Sequence, residues 1–406
     1  MVAEQRILIG IGGGIAAYKT CEVVSTLAKA GAQIRVILTE GAQQFVTPLT
    51  VATLSRHAAY TDATFWHPSH DRPLHIKLGE WADVFLIAPL TANTLAKLAY
   101  GMADNLLTNT VLASACPMLL APAMNTEMWL QQPVQRNWSL VQANPRCHTV
   151  GPGSGMLACD RLGAGRMAEP SQIVAHVQSI VHTRGARDLS GQHLLISAGG
   201  TREHLDPVRF IGNPSTGKMG IALAQAAIHR GARVTLVHAP METDALVASE
   251  SLRLVPVVSA QEMHAALLEF CDSADWIIMS AAVADVMPAE YHAEKLPKRS
   301  LPDSLDLDPV PDILMELSKR KQSGQRLIGF AAQTGDIVAP ALAKLRQKKL
   351  DAIAANPIDQ PNSGFGSTQN QAVFIDHTGR QTSLSRCSKL QMAHHLIDFV
   401  ITMPPS

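Results

Sequence analysis

Short unbroken apolar runs alternate with longer stretches in which apolar residues return every three or four positions, almost from end to end. RILIGI (6–11) stops at Gly12–Gly14, and a helical pattern follows that ends on Gly31, a glycine C-cap. IRVILT (34–39) predicts a second strand. VFLIAP (84–89) and MLLAP (118–122) are apolar throughout, as strands covered on both faces of a parallel sheet must be. Helical periodicity lies near 92–100, 104–114 and 170–183. The polar stretch TRGARDLSG (183–191) reads as a linker, after which the pattern restarts. HLLISAGG (193–200) is a new first strand, 218–232 a helix capped by Gly231, and RVTLVHAP (233–240) a second strand. Strands are expected at 275–281, 326–332 and 351–356, an edge hairpin at 371–376 and 381–386, and a closing helix at 388–401. The fold class is therefore α/β: two doubly wound open sheets, over 1–188 and 189–406, with ligands at the carboxyl ends of the strands. The Pro- and charge-rich loop 285–310 is long for such a domain and reads as an active-site flap or a disordered segment.

Charge and cysteine content narrow the partners. With 34 basic and 34 acidic residues the net charge is zero, which argues against a broad nucleic-acid or anionic-membrane surface. No apolar run reaches the ~18 residues of a membrane span. The first residues carry no basic segment ahead of a secretory core, since ILIGIGGGIAAYK is too rich in glycine. Six widely spaced cysteines without a CxxC fit a reducing cytoplasm better than a disulfide or zinc framework.

The glycine cluster GGGIAA (12–17) follows a strand and opens a helix, with Glu40 ending the next strand. Its spacing suits a phosphate-bearing ligand at a helix N-terminus, a dinucleotide included, and equally a tight turn with no ligand. GNPSTGKM (212–219) has nearly the spacing of a P-loop but places Met219 where a magnesium-binding hydroxyl belongs, and it lies well beyond the strand ending near Ala198. A P-loop is excluded, although a polar glycine-bearing loop before a helix still suits an anion. His75 in PLHIKLGEWAD and Asn125 in APAMN lie next to strands, and as isolated residues they read as a structural histidine and a helix cap. Cys159, in the glycine-rich GPGSGMLACDRLGAGRM, is poorly placed for packing and well placed on a flap that delivers a thiol.

Taken in order behind GGGIAAYK, the segments HIKLGEWAD, APAMNTEMW and ACDRLGAGRM resemble the flavin-dependent cysteine decarboxylases. The second half, with AGGTREHLDPVRFIGNPSTGKMG (198–220), SAAVAD (280–285), AEKLPK (293–298), PDIL (311–314) and GFAAQT (329–334), resembles the phosphopantothenate–cysteine ligases. Both together resemble the bifunctional decarboxylase–ligase family of coenzyme A synthesis, which implies a flavoprotein-like N-terminal half and a Rossmann-like C-terminal half. The resemblance implies FMN held by Gly13, Gly14, Ile15, Thr39, Thr91 and Asn93, with His75 as acid/base and Asn125 beside Met124 on the substrate carboxylate. Cys159 would protonate an enethiol left by loss of CO2. In the second half it implies an acyl-cytidylate made from CTP and 4′-phosphopantothenate, which the amine of cysteine then attacks. Asn213, Arg209 and Ala282 would hold the acyl group. Lys295 would neutralise phosphate charge and, with Asp285, Val310, Pro311, Asp312, Ile313, Phe330, Lys344 and Lys348, would bind the nucleotide, with Mg2+ on the triphosphate. A homo-oligomer is implied, a dodecamer built from trimeric decarboxylase and dimeric ligase contacts.

The chain departs from the family's usual pattern at Gly12, Asp160, Gly200, Val286–Met287, Pro297 and Gln333. Two other classes compete: a non-catalytic flavin-binding regulator, which commonly lacks the flap cysteine or the ligase half, and an NAD-dependent dehydrogenase, which leaves the second half unexplained.

Overall fold

The computed structural model describes residues 1–67, 71–156, 162–247, 249–301, 303–359, 364 and 366–404. The chain divides into two compact units, the first made of Met1–Ala186 with a short piece at 247–249, the second of the remainder. No helix among the described residues is long and apolar enough to cross a membrane.

The first unit is built on six parallel strands: β1 (Arg6–Ile11), β2 (Gln33–Leu38), β3 (Tyr60–Thr61), β4 (Val84–Leu90), β5 (Met118–Pro122) and β6 (Cys147–Thr149). Their spatial order is β3-β2-β1-β4-β5-β6, so the winding reverses between β1 and β4. Both faces are covered, which is why these strands read as continuous apolar runs. Ile7, Ile9, Val84 and Leu86 belong to the core under the helices Ala17–Lys29 and Pro170–Thr183. Leu8, Phe85 and Ile87 belong to the opposite core, under Leu74–Trp81, Leu106–Ala113 and Gln132–Gln142. Gly10 leaves room for this packing: a Cβ there would lie 2.4 Å from Leu107 Cδ1 and would displace that side chain. A hairpin of β7 (Gly153–Met156) and β8 (Leu162–Arg166) follows the sheet.

The second unit repeats the winding. Its strands are β9 (His193–Ala198), β12 (Arg233–His238), β13 (Leu252–Pro256), β14 (Trp276–Met279), β17 (Arg326–Gln333) and β18 (Ala352–Pro357), all parallel in the order β13-β12-β9-β14-β17-β18. The antiparallel strands β19 (Gln369–Asp376) and β20 (Gln381–Ser388) extend the β18 edge, where the sequence predicts a hairpin. Two small ribbons complete the unit: β10 (Arg202–His204) with β11 (Phe210–Gly212), and β15 (Val286–Pro288) with β16 (Leu307–Pro309). The second ribbon revises the reading of loop 285–310. Its two ends pair with each other, and alternation is too short over three residues to signal this from sequence. The linker read at 183–191 holds the end of the helix Pro170–Thr183 and the boundary between units. Arg184 and Gly185, both at positive φ, terminate that helix.

Candidate functional site

In an open parallel sheet the loops on either side of the winding reversal splay apart and leave a crevice at the carboxyl ends of the strands. In the first unit the loop after β1 and the segment after β4 meet there. Gly12 N–H donates to the Pro89 carbonyl at 3.2 Å, and a Cβ on Gly12 would lie 2.6 Å from that oxygen. Gly13 lies against Gly41 from the turn after β2, where a Cβ would come within 2.7 Å of the Gly41 carbonyl carbon. Both positions are close backbone approaches in this chain, and a Cβ at either would require the neighbouring segment to shift. Gly14 has open space, with only the Thr91 methyl near its missing Cβ, at 3.8 Å.

The amides of Gly13, Gly14 and Ile15 have no acceptor among the described residues. They sit just ahead of the helix Ala17–Lys29, whose N-cap, Ala16, provides no side-chain hydrogen bond. Three adjacent unsatisfied N–H groups before a helix N-terminus form an anion site. Thr39 borders it, its hydroxyl donating to Ile11 O and accepting from Ala42 N, both at 3.2 Å. Thr91 caps the helix Ala92–Tyr100, and Asn93 is exposed on its first turn.

His75 stands on the helix Leu74–Trp81, an element that the sequence reading did not resolve because its apolar face is only two turns long. The imidazole meets the Phe65 ring edge-on at 5.5 Å, and its Nδ1 is buried without a hydrogen-bond partner. An orphaned polar atom of this kind is costly unless a ligand or water completes it. Asn125 caps the helix Thr126–Leu130, its Oδ1 accepting from Glu127 N at 2.8 Å, so the cap reading of this residue is realised. The β7–β8 hairpin lies directly on this segment. Met124 N–H donates to Gly165 O at 2.9 Å, and Gly165, at φ +125°, sits where a Cβ would be 2.3 Å from Met124 O. Cys159 and Asp160 belong to the hairpin's connection, outside the described residues. Glu169 receives Lys19 at 3.2 Å and Arg166 at 2.6 Å, tying the base of the hairpin to the helix behind the glycine loop.

The second unit holds a cavity of about 610 Å³ at its own winding reversal. Asn213, Ala282, Asp285, Val310, Pro311, Asp312, Ile313, Phe330, Lys344 and Lys348 all line it, so residues spread over 136 positions of sequence converge on one space. Asn213 donates its amide to Val283 O at 3.1 Å and lies across the loop after β14. Gly200 admits this arrangement, since a Cβ there would sit 2.5 Å from Asn213 O. Lys344 donates to Phe330 O at 2.9 Å. Burial lowers its pKa, against the opposing charge of Asp285. Asp312 caps the helix Ile313–Arg320 and pairs with Lys348. Two short strands intervene between β9 and the helix Lys218–His229, which is the geometry of a loop other than a P-loop.

Arg209 and Lys295 do not line the cavity. Arg209 pairs at 2.6 Å with Asp206, whose side chain is fully buried, and donates to Leu296 O at 3.1 Å. Asp206 in turn accepts Leu296 N–H at 3.3 Å. Both backbone polar groups of Leu296 are thus held, and Lys295 projects, exposed, from the residue before this clamp. Burial opposes ionisation of Asp206. The amides of Val208, Arg209 and Leu296 and the Arg209 guanidinium outweigh it and bring the carboxyl down to about 2. A carboxyl lowered from its unfolded value of ~3.9 stabilises the fold fully above that value and loses its contribution as pH falls towards the folded value. Asp206→Asn should therefore be less stable than the parent above roughly pH 4, and the difference should shrink towards pH 2. Urea melts at several pH values check this, and a constant difference down to pH 2 would contradict it.

The sequence reading missed Ser215, Thr216, Lys218, Asn356, Asn370 and Lys389, which also line the cavity. The polar loop at 212–219 pointed to the first three. Nothing in the local sequence marks the last three, which only sheet order brings there.

Comparison with known proteins covers both units. The family model described as Flavoprotein matches residues 1–182, and that described as DNA/pantothenate metabolism flavoprotein C-terminal domain matches 189–403. The coenzyme A biosynthesis bifunctional protein CoaBC of Bacillus subtilis (strain 168) is 41% identical over 403 residues, 99% of this chain and 98% of that protein. A cysteine/cysteine sulfinic acid decarboxylase from an unknown prokaryotic organism is 40% identical over 361 residues, 88% of this chain and 99% of that protein. Among solved structures, the C-terminal domain of a CoaBC protein aligns at 34% identity and a TM-score of 0.44, covering 53% of this chain and 96% of that one. Matched from end to end and in both halves, the chain belongs to the family of coenzyme A biosynthesis bifunctional proteins, CoaBC.

Proposed function

We propose that this protein makes 4′-phosphopantetheine in two steps: CTP-dependent ligation of cysteine to 4′-phosphopantothenate, then FMN-dependent decarboxylation of the product. The observation that carries the reading is the full-length likeness to a CoaBC protein, 99% of this chain on 98% of the relative, which leaves neither half unaccounted for. A dehydrogenase explains only the first glycine loop, and a non-catalytic regulator does not need the second cavity.

In the first unit the anion site at Gly13–Ile15 suits the phosphate of FMN, and the orphaned Nδ1 of His75 suits a ligand at the same sheet end. Thr39, Thr91 and Asn93 would complete the FMN contacts. Bound FMN supplies two-electron chemistry at the carbon bearing the substrate thiol. The protein orients the substrate for it: Asn125 and Met124 hold the carboxylate end, His75 moves a proton, and Cys159 returns one to the enethiol. In the second unit Asn213, Ala282 and Arg209 would hold the acyl group of 4′-phosphopantothenate. Asp285, Val310–Ile313, Phe330, Lys344 and Lys348 would hold CTP, whose triphosphate brings Mg2+. Lys295 would approach the reacting phosphate. A trimer of the first unit and a dimer of the second, combined as a dodecamer in the cytoplasm, fit the same reading.

The test is an absorbance spectrum of the purified protein with an assay of CTP-dependent pyrophosphate release on adding 4′-phosphopantothenate and cysteine. Flavin absorbance with CTP-dependent release supports the reading. A colourless protein that binds nicotinamide, or CO2 release from free cysteine in place of the pantothenoyl conjugate, would overturn it. Within this reading, Gly13→Ala should weaken FMN binding at least about tenfold, or ~1.4 kcal/mol, because the added methyl pushes the glycine loop off the turn at Gly41. Flavin content per chain measures this, and circular dichroism should show the fold retained.

A further inference from the structure

Four lysines line the cavity of the second unit: Lys218, Lys344, Lys348 and Lys389. Three are already engaged. Lys344 donates to Phe330 O, Lys348 pairs with Asp312, and Lys218 donates to Gly366 O at 2.9 Å. Lys389 differs. It opens the helix Lys389–Ile401, is 9% exposed, lines the cavity, and makes no side-chain hydrogen bond or ion pair with the described residues. An ammonium on a largely buried side chain that faces a cavity without a protein partner is stabilised when an anion meets it there.

We propose that Lys389, with Lys218 across the same cavity, forms a phosphate-binding subsite for a substrate of the ligase, separate from the lysines at Asp285 and Asp312. The proposal rests on the ligase reading for the identity of the substrate, though not for the chemistry of the subsite. Burial, and then the neighbouring charge of Lys218, bring the Lys389 pKa down to about 8. Two cations held near each other with one of them desolvated are stabilised by an oxyanion of multiple charge, as a phosphate supplies. Two phosphates of the proposed reaction qualify: the terminal phosphates of the nucleotide, which leave as pyrophosphate, and the phosphate monoester of 4′-phosphopantothenate.

Calorimetric titration of the full chain with pyrophosphate, inorganic phosphate and CTP separates these sources when combined with the KM for 4′-phosphopantothenate. The subsite predicts that Lys389→Gln weakens one class of ligand by roughly tenfold to a hundredfold, while Lys389→Arg retains most of the affinity. Loss confined to CTP and pyrophosphate assigns the subsite to the nucleotide. A raised KM for 4′-phosphopantothenate with unchanged CTP affinity assigns it to the monoester. Replacing a buried unpaired cation by a neutral group should leave the melting temperature unchanged or higher, which a structural role would not do. Unaltered binding of all these ligands in Lys389→Gln would overturn the proposal, as would a lower melting temperature with uniform loss. If the parent protein binds pyrophosphate through Lys389 but shows no CTP-dependent ligation, the ligase reading fails and the subsite stands.

Discussion

Cys159→Ser should stop the decarboxylase after at most about one turnover per flavin, with the enethiol as the accumulated product. On the proposed mechanism the residues needed before that point are His75, Asn125 and the loop Gly13–Ile15, and the substitution changes none of them. CO2 should therefore still be released. The enethiol must then take back the two electrons removed from the substrate together with a proton, and the serine hydroxyl is a far weaker acid than a thiol of the same size. Oxygen offers an unrelated way out, so the test is anaerobic: 4′-phosphopantothenoylcysteine is mixed with the variant, flavin absorbance is followed for bleaching that does not recover, and the product is weighed by mass spectrometry. FMN content should match the parent. The site proposed for the FMN phosphate, at Gly13–Ile15, belongs to the loop after β1, whereas the described part of the hairpin rests on Met124 through Gly165. Sustained turnover to 4′-phosphopantetheine by the variant would remove Cys159 from the proton-donor role.

The central strands of both sheets were legible in the sequence because parallel strands covered on two faces are apolar almost throughout, whereas the edge strands Cys147–Thr149 and Leu252–Pro256, short or largely exposed, were not. VFLIAP, MLLAP, HLLISA and DAIAAN could not be solvent-facing strands. The restart at His193 was legible for the same reason, since the strand–glycine–helix order of residues 6–29 recurs there. Short elements were hidden. Tyr60–Thr61 is only two residues long, and Leu74–Trp81 has too few turns to establish a period. The helix Ala260–Phe270 carries its signal in the Ser259–Glu262 capping box, and Val338–Gln347, whose N-cap residue Ile337 gives no side-chain cap, has only a narrow buried face of Ala341 and Leu345.

The candidate sites divide along the same physical line. Contacts made by backbone at glycines leave a mark in sequence, because a Cβ at a close approach of two chain segments must push one of them aside. Gly13 shows it. Side chains converging from distant strands leave none. Asn356, Asn370 and Lys389 reach the second cavity because β18 and β19 are neighbours and the last helix begins where β20 ends. The Asp206–Arg209 clamp is a third kind of case. Its residues lie three apart and look like an exposed ion pair, but Asp206 is fully buried and the partner it organises is 90 positions away.

That clamp sets the terms for the second large effect. Lys295→Gln should reduce ligase kcat about a hundredfold, the ~3 kcal/mol of one charge-assisted contact to developing phosphate charge, and leave decarboxylation intact. Lys295 is exposed and outside the cavity lining, and the nucleotide's affinity should change less than kcat. Its backbone position, however, is fixed one residue away, where Leu296 N–H and C=O are bound by Asp206 and Arg209. Asp206→Asn keeps the shape, removes the anion facing Arg209 and loosens that fixture. It should lower kcat by a smaller factor. If Asp206 acts by positioning Lys295, the double variant should be no slower than Lys295→Gln alone, because a loosened anchor costs nothing once the ammonium is gone. Pyrophosphate release under saturating CTP, 4′-phosphopantothenate and cysteine measures all four proteins. Multiplication of the two single effects would separate Asp206 from Lys295, and equal loss of decarboxylase activity in Lys295→Gln would place the damage in folding and not in the chemistry of ligation.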